Sequence, residues 1–418
     1  MSEYTEGYTG LPDAPDTPEE QPQQPPREKE AQPKVAQARK KFNLRFIKTE
    51  IDKPFCILVI SLLVFGIVMM FSASYARAIA ELGDGYFYVK KQIFSAVLGL
   101  IAMLLMSFLD YHFFQTTYIA WGFFVLTLGL TFITTFIGST TADATRWLDF
   151  GFIQLQPSEL MKVGFIVIFA FIMAVNFPYF RKWQYSTLPF AVIMGAVMLV
   201  LVMQRHMSAV LLVGTIGLTM MFVSGMPKKH FFVFIGLALL AGGLFVLYKM
   251  FIDKDLGYIS DRIQSWRDPL SDPTDKTMQT YNSLIAIGSG GVFGLGFGES
   301  RQKYLYLPES QNDFVFSIVC EELGLIGALV VILLFVMFIL RGFYIASRAK
   351  DRFGMLLATG ITVQIGVQAL LNIAVASNAF PNTGISLPFF SYGGTALLIQ
   401  LAEMGILLSV SRQSNMQK

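Results

Sequence analysis

The sequence predicts an all-α polytopic membrane protein of about ten transmembrane helices, with a large extracellular loop between spans seven and eight. Three observations carry this. The 418-residue chain is 54% hydrophobic and only 15% charged, where a soluble globular chain carries about 25% charged residues. Apolar runs recur along it, each long enough to cross about 30 Å of hydrocarbon as a helix. The remaining cations collect mainly in alternate connections, the pattern that sets orientation in a bilayer.

In chain order, residues 1–35 are rich in Pro, Glu, Gln and Thr and almost lack large aliphatic side chains. Such a segment buries too little apolar area to offset chain entropy and is expected to be disordered. Residues 36–48, AQARKKFNLRFIK, turn basic. A basic block beside a first span marks the cytoplasmic side and favours anionic headgroups. Residues 1–48 thus read as a disordered cytoplasmic tail and 49–418 as a transmembrane domain. The first apolar run begins beyond residue 50, so it reads as a retained span and not a cleavable signal peptide.

Spans are expected near 54–76, 91–109, 116–137, 159–176, 187–203, 207–224, 231–251, 314–340, 355–376 and 390–411. Spans five and six could equally form one helix kinked at 203–207. With ten spans both termini are cytoplasmic, in the cell membrane. The inside connections then hold Arg181 and Lys182, Lys228 and Lys229, and Arg341, Arg348, Lys350 and Arg352, with Arg412 at the tail, in agreement with the positive-inside rule. Two outside connections, 138–158 and 252–313, exceed what a link requires, and such loops are usually functional or disordered. The second, with Arg262, Trp266, Arg267, Tyr281 and the glycine run IGSGGVFGLGFG, reads as an ordered extracellular platform.

Several function classes fall away. The glycine run follows no strand and lacks the Lys-Ser/Thr ending of a phosphate loop, and nothing points to nucleic acid. Two cysteines and three dispersed histidines give no firm metal site. Cys56 and Cys320 start from opposite membrane faces, so no disulfide is expected between them.

The chemistry-bearing residues gather at the outer boundary. Asp313 sits where a polar loop, ESRQKYLYLPESQND, runs into span eight. It reads either as a cap, since carboxylates suit helix N-termini, or as an acid–base group, with Arg301, Lys303 and Glu309 upstream. Glu321 and Glu322 follow about 12–13 Å along the helix axis, and one of them is expected to face the same cavity. Glu159 and Lys162, three apart at the start of span four, share a helix face and read as either a boundary ion pair or functional groups. Arg146, Arg205, Arg262, Arg267, Arg301 and Lys303 all fall outside, against the orientation bias. As a set they suit an anionic, phosphate-bearing ligand, while each alone could pair with a nearby Asp. The uncharged stretch 372–395, NIAVASNAFPNTGISLPFFSYGGT, which includes Ser391, reads as a rigid loop or a cavity wall, since irregular backbone near a membrane survives only under cover.

Four segments together, RWLDFGFIQLQPSELMK, YNSLIAIGSGGVFGLGFG, QKYLYLPESQNDFVFSIVCEELGLIG and PNTGISLPFFSYGGT, resemble the SEDS family (shape, elongation, division and sporulation). The resemblance runs through essentially all of the chain after residue 50. It implies a peptidoglycan glycosyltransferase that polymerises lipid II and works with a class B penicillin-binding transpeptidase. It places the family's essential carboxylate on Asp313. The substrate-binding set to expect is then Arg146, Glu159, Lys162, Arg262, Lys303, Glu309 and Ser391. A divalent cation, Mg or Mn, is a candidate cofactor at the leaving pyrophosphate.

The chain also departs from the family. Where many members carry a Gln-Pro-Asp-x-Gly-Thr type motif between spans five and six, it reads QRHMSA at 204–209. Proline and acid are both missing, and His206 is the candidate replacement. Two rivals stand beside the enzyme: a lipid II flippase, which needs charged groups at mid-depth, and a non-catalytic scaffold for the transpeptidase.

Overall fold

A computed structural model describes residues 50–141, 144–149, 154–248, 257–272 and 277–414. The tail 1–48 lies outside them. The described chain is almost entirely helical: α1 (Lys53–Leu82), α2 (Phe87–Phe108), α3 (Thr117–Ile137), α4 (Pro157–Asn176), α5 (Trp183–Ser186), α6 (Leu188–Met203), α7 (Met207–Val223), α8 (Lys228–Tyr248), α9 (Gly257–Arg267), α10 (Met278–Gly290), α11 (Val315–Arg348), α12 (Arg352–Ala376) and α13 (Gly394–Arg412). In its described residues, each of the ten expected spans overlaps one of these helices. Among the described residues eight helical stretches, with α5 and α6 counted together as one, are long and apolar enough to cross a membrane, while α7 is shorter at 17 residues.

The break at 203–207 separates two helices. Arg205 takes a left-handed φ of 54°, and the Gln204 amide donates to Thr131 O at 2.6 Å. Gly217 faces Met194 and Gly214 faces Met198, so α6 and α7 run antiparallel. The connection 138–158 forms a small antiparallel sheet not foreseen from the sequence: β1 (Ser139–Thr141), β2 (Ala144–Asp149) and β3 (Gln154–Leu155), in the order β1-β2-β3. The 252–313 connection carries α9 and α10.

Burial sorts the helices. The apolar windows of α12 and α13 are 78% buried and that of α4 is 72%, against 28% for α2 and α3. The first three form the centre and the last two turn their apolar faces outward, the arrangement expected where lipid solvates the rim. Close approach at the centre depends on small residues. A Cβ on Gly405 of α13 would run into the Met103 backbone of α2, and one on Gly164 of α4 would meet Thr127 of α3.

Polar clasps hold one end of the bundle. Asp52 caps α1 by accepting from Phe55 N at 3.0 Å, pairs with Arg341 of α11 at 2.9 Å and accepts from Ser411 of α13 at 3.3 Å. The beginning and end of the described bundle therefore share one side. At the α2–α3 turn, His112 lies 2.7 Å from Asp110 and 2.5 Å from Asp351, between α11 and α12.

In α11 the helix breaks at Gly324, with φ 65° and ψ −163°. The loop after α10 repairs the backbone there. Leu295 N and Gly296 N donate to Glu321 O and Glu322 O at 3.0 Å, while Leu325 N and Ile326 N donate to Gly291 O and Val292 O at 2.9 and 3.3 Å. A side chain at either Gly324 or Gly294 would strike the opposing backbone, so glycine is required on both strands of the contact. Broken backbone inside a membrane survives only with partners of this kind.

Candidate active site

At the end of the bundle opposite the Asp52 clasp lies a cavity of about 890 Å³, within the size range of small-molecule sites. It collects the first turns of α2, α4, α7 and α13, the last turns of α1, the residues before α11 and the segment between α12 and α13. Antiparallel packing brings these helix ends together, because alternate helices begin on the same side.

Asp313 is on the cavity wall. Helix α11 begins at Val315 with Phe314 in the N-cap position and no side-chain cap, so Asp313 stands one residue outside the capping position. Its surroundings are fixed through the backbone. Asn372 Nδ2 donates to Asp313 O and to Ile385 O, both at 2.7 Å. Ser391 Oγ donates to Asn312 O at 2.5 Å and accepts from Leu387 N at 2.7 Å, and Tyr392 N donates to Gln311 O at 2.8 Å. Gln92 of α2 completes the stitching, donating to Ser391 O at 3.1 Å and accepting from Gly393 N at 3.3 Å. The Gly384 backbone, at φ 68°, passes so close that an added Cβ would sit 3.4 Å from Asp313 Oδ2. The uncharged 372–395 stretch thus forms cavity wall, and its Asn, Ser and Gly residues position the carboxylate.

Glu159, Lys162, Glu309 and Ser391 line the same cavity. Lys162 Nζ lies 2.8 Å from Glu159 and 3.3 Å from Gln368 Oε1. Gln368 in turn donates to Ser386 O at 3.1 Å. Glu309, at φ 55°, pairs with Arg77 at 3.1 Å. His206, the candidate replacement for the missing acid, also lines the cavity.

Three predicted residues lie elsewhere or beyond description. Lys303 is 4% exposed, and its ammonium is 2.9 Å from Glu322 and 3.2 Å from Ser72 Oγ. Arg262 on α9 donates to Asn382 O. Arg146 is on β2, and its side chain lies outside the described residues. The expectation that Glu321 or Glu322 faces the cavity is corrected, since neither lines it. The Glu322 carboxylate accepts from Ser72 and Lys303. That of Glu321 accepts from Ser300 and from the Arg301 and Gln302 amides. Two buried carboxylates take the donors packed against them, and here those belong to the 300–303 turn and to Ser72 of α1.

Sequence reasoning missed Arg77, Lys90 and Lys91, which supply cations to the cavity. The signal was present: they fall on the predicted outer side at the end of span one and the start of span two, against the same bias that singled out Arg262. Among the described residues no group of three or more His, Cys, Asp or Glu is arranged to hold a metal ion.

The fold and site are those of a polytopic membrane protein with a polar, carboxylate-bearing cavity at one boundary. The FtsW/RodA/SpoVE family model, described as cell cycle protein, matches residues 53–416, and the chain belongs to that family. It is 36% identical over 362 residues to a probable peptidoglycan glycosyltransferase FtsW from Geobacter sp. (strain M18), covering 86% of this chain and 96% of that protein. It is 36% identical over 377 residues to stage V sporulation protein E of Bacillus subtilis (strain 168), covering 88% and 98%. Among solved structures it resembles a chain from "Structural coordination of polymerization and crosslinking by a peptidoglycan synthase complex", with TM-score 0.70, 26% identity and coverage of 88% and 99%. It also resembles the Thermus thermophilus rod shape determining protein RodA, with TM-score 0.63, 26% identity and coverage of 87% and 98%.

Proposed function

We infer that the protein is a peptidoglycan glycosyltransferase that polymerises lipid II at the outer face of the cell membrane. The observation that carries this is Asp313. It is a carboxylate on the wall of a polar cavity, with its backbone carbonyl held by Asn372 and the two residues before it held by Ser391 and Tyr392, and it is displaced from the capping position of its helix.

In the reaction, the growing glycan on its polyprenyl pyrophosphate is the donor, and the 4-hydroxyl of the N-acetylglucosamine of lipid II is the acceptor. Asp313 takes the hydroxyl proton as that oxygen attacks the anomeric carbon of the donor. The new C–O bond forms as the bond to the pyrophosphate oxygen breaks, with inversion to a β-1,4 link. A positioned base contributes roughly a hundred- to ten-thousand-fold in rate. The leaving pyrophosphate needs no proton, and its developing charge is met by the cavity cations Arg77, Lys90, Lys91 and Lys162. The cavity's charged groups are at one boundary, which favours surface chemistry over passage through the membrane. The common side of both ends of the bundle, opposite the cavity, supports cytoplasmic termini. A class B penicillin-binding transpeptidase is the proposed partner, in keeping with the likeness to a chain of a polymerising and crosslinking complex.

The test is purified Asp313→Asn with lipid II. Loss of polymer with unchanged folding supports the reading, and polymer at the normal rate refutes it. Translocation of lipid II in proteoliposomes without polymer, by the unaltered protein, would instead favour a flippase.

A further inference from the structure

Above its boundary arginine, Arg341, the exposed apolar surface of α11 is shorter than the hydrocarbon it crosses. From Leu325, 53% exposed, the outward face runs through Leu329 and Leu333 to Leu340, 64% exposed, where Arg341 interrupts it, and Phe343 and Tyr344, 39% and 41% exposed, lie beyond that charge. From Leu325 to Arg341 is roughly 24 Å of helix axis, against about 30 Å of hydrocarbon. At its lower end Arg341 pairs with Asp52 and stacks on Tyr344, an arrangement usual at a membrane–water boundary. Above Leu325, every residue from Val315 to Glu322 is buried. What covers the helix at the upper edge is the loop after α10, and that loop is itself apolar and exposed: Val292 is 52% exposed, Phe293 82% and Phe297 53%.

Depth follows from the hydrogen bonds. Ile326 and Leu325, whose amides donate to Val292 O and Gly291 O, lie roughly 23 Å along the axis from Arg341, within the hydrocarbon thickness. Glu299, the first charged residue after the loop, is exposed, as a residue at the water boundary would be. The loop's own backbone groups are met by α11 through four hydrogen bonds, which is the condition for irregular backbone at membrane depth. An aqueous loop has no reason to present Phe293 uncovered, because patches of that kind mark an apolar contact.

We propose that residues 291–297 are a re-entrant cap, inserted in the leaflet on the Asp313 side, where Val292, Phe293 and Phe297 contact lipid tails and complete the apolar belt of α11. The occupant of this surface is lipid hydrocarbon, by continuity with the belt directly below. The connection between α10 and α11 is then partly a membrane element and not wholly an extracellular platform.

The experiment uses the full chain in lipid nanodiscs, with Cys56→Ser to remove the half-exposed native thiol. Nitroxide labels are placed singly by Phe293→Cys, Leu333→Cys and Glu299→Cys, and collision with oxygen, which prefers lipid, is compared with collision with a water-soluble nickel chelate. The expected result is that the 293 label matches the 333 label in favouring oxygen, and the 299 label favours nickel. A 293 label that behaves like the 299 label overturns the proposal, as does one shielded from both reagents, which would indicate a protein partner or a second copy on that surface. Normal thermal unfolding of each labelled protein establishes that the fold is retained.

Discussion

The ammonium of Lys162 lies 2.8 Å from the carboxylate of Glu159 one turn away on α4, with side-chain exposures of 3% and 9%. A buried pair is weak evidence for stability, but removing one partner strands the other, at about 3–5 kcal/mol. Lys162→Met is therefore expected to lower the melting temperature sharply. The joint variant Glu159→Gln with Lys162→Met is expected to recover much of that stability while losing polymer formation, because the cavity has lost a cation. Thermal unfolding in detergent and a lipid II polymerisation assay separate the two effects.

Asp313→Asn is expected to lower the polymerisation rate by roughly a hundred- to ten-thousand-fold with little change in melting temperature. A capping carboxylate would behave differently, since replacing a cap costs about 1 kcal/mol. The N-cap position here belongs to Phe314, so stability and rate should separate.

Lys303 and Arg77 are both cations near Glu309 in sequence or space, yet opposite phenotypes are expected. Lys303→Met leaves Glu322, fully buried, without its cation, and should lower folded yield. Arg77→Gln removes a half-exposed cavity cation and should raise KM for lipid II with only a small stability change. Yield by size-exclusion chromatography and steady-state kinetics distinguish them.

The clasp of Asp110, His112 and Asp351 predicts a pH dependence at the far end of the bundle. Burial opposes the charge on His112, but hydrogen bonds and charge from Asp110 and Asp351 outweigh it and raise its pKa to about 9. Burial likewise opposes the charge on the two carboxylates, and His112 outweighs it to hold both below the usual range. A raised histidine contributes fully below its unfolded value of about 6.5 and loses that contribution as pH rises through about 9. The carboxylate contribution is present above about 4 and is lost in stronger acid. The melting temperature is expected to fall between pH 6.5 and 9, and His112→Gln should flatten that slope.

Much was legible in the sequence because it is written locally. An apolar run specifies a helix whatever surrounds it, which is why the expected spans overlap helices, eight stretches of which are long and apolar enough to cross a membrane among the described residues. Glu159 and Lys162 meet because residues three apart share a helix face. Asp313 stands out as a carboxylate where a polar loop enters an apolar run. The packing of one helix against another decided the rest. Arg77 and Lys91 reach the cavity while Lys303 turns inward to Glu322, although all three look alike as outer-side cations. The interruption of α11 at Gly324 was invisible because its cause is Gly294, far along the chain, whose backbone needs the same space. Hydropathy fixes which segments enter the membrane, but it carries no information about their lateral neighbours, and a polar side chain's role is set by the donor or acceptor that packing brings to it.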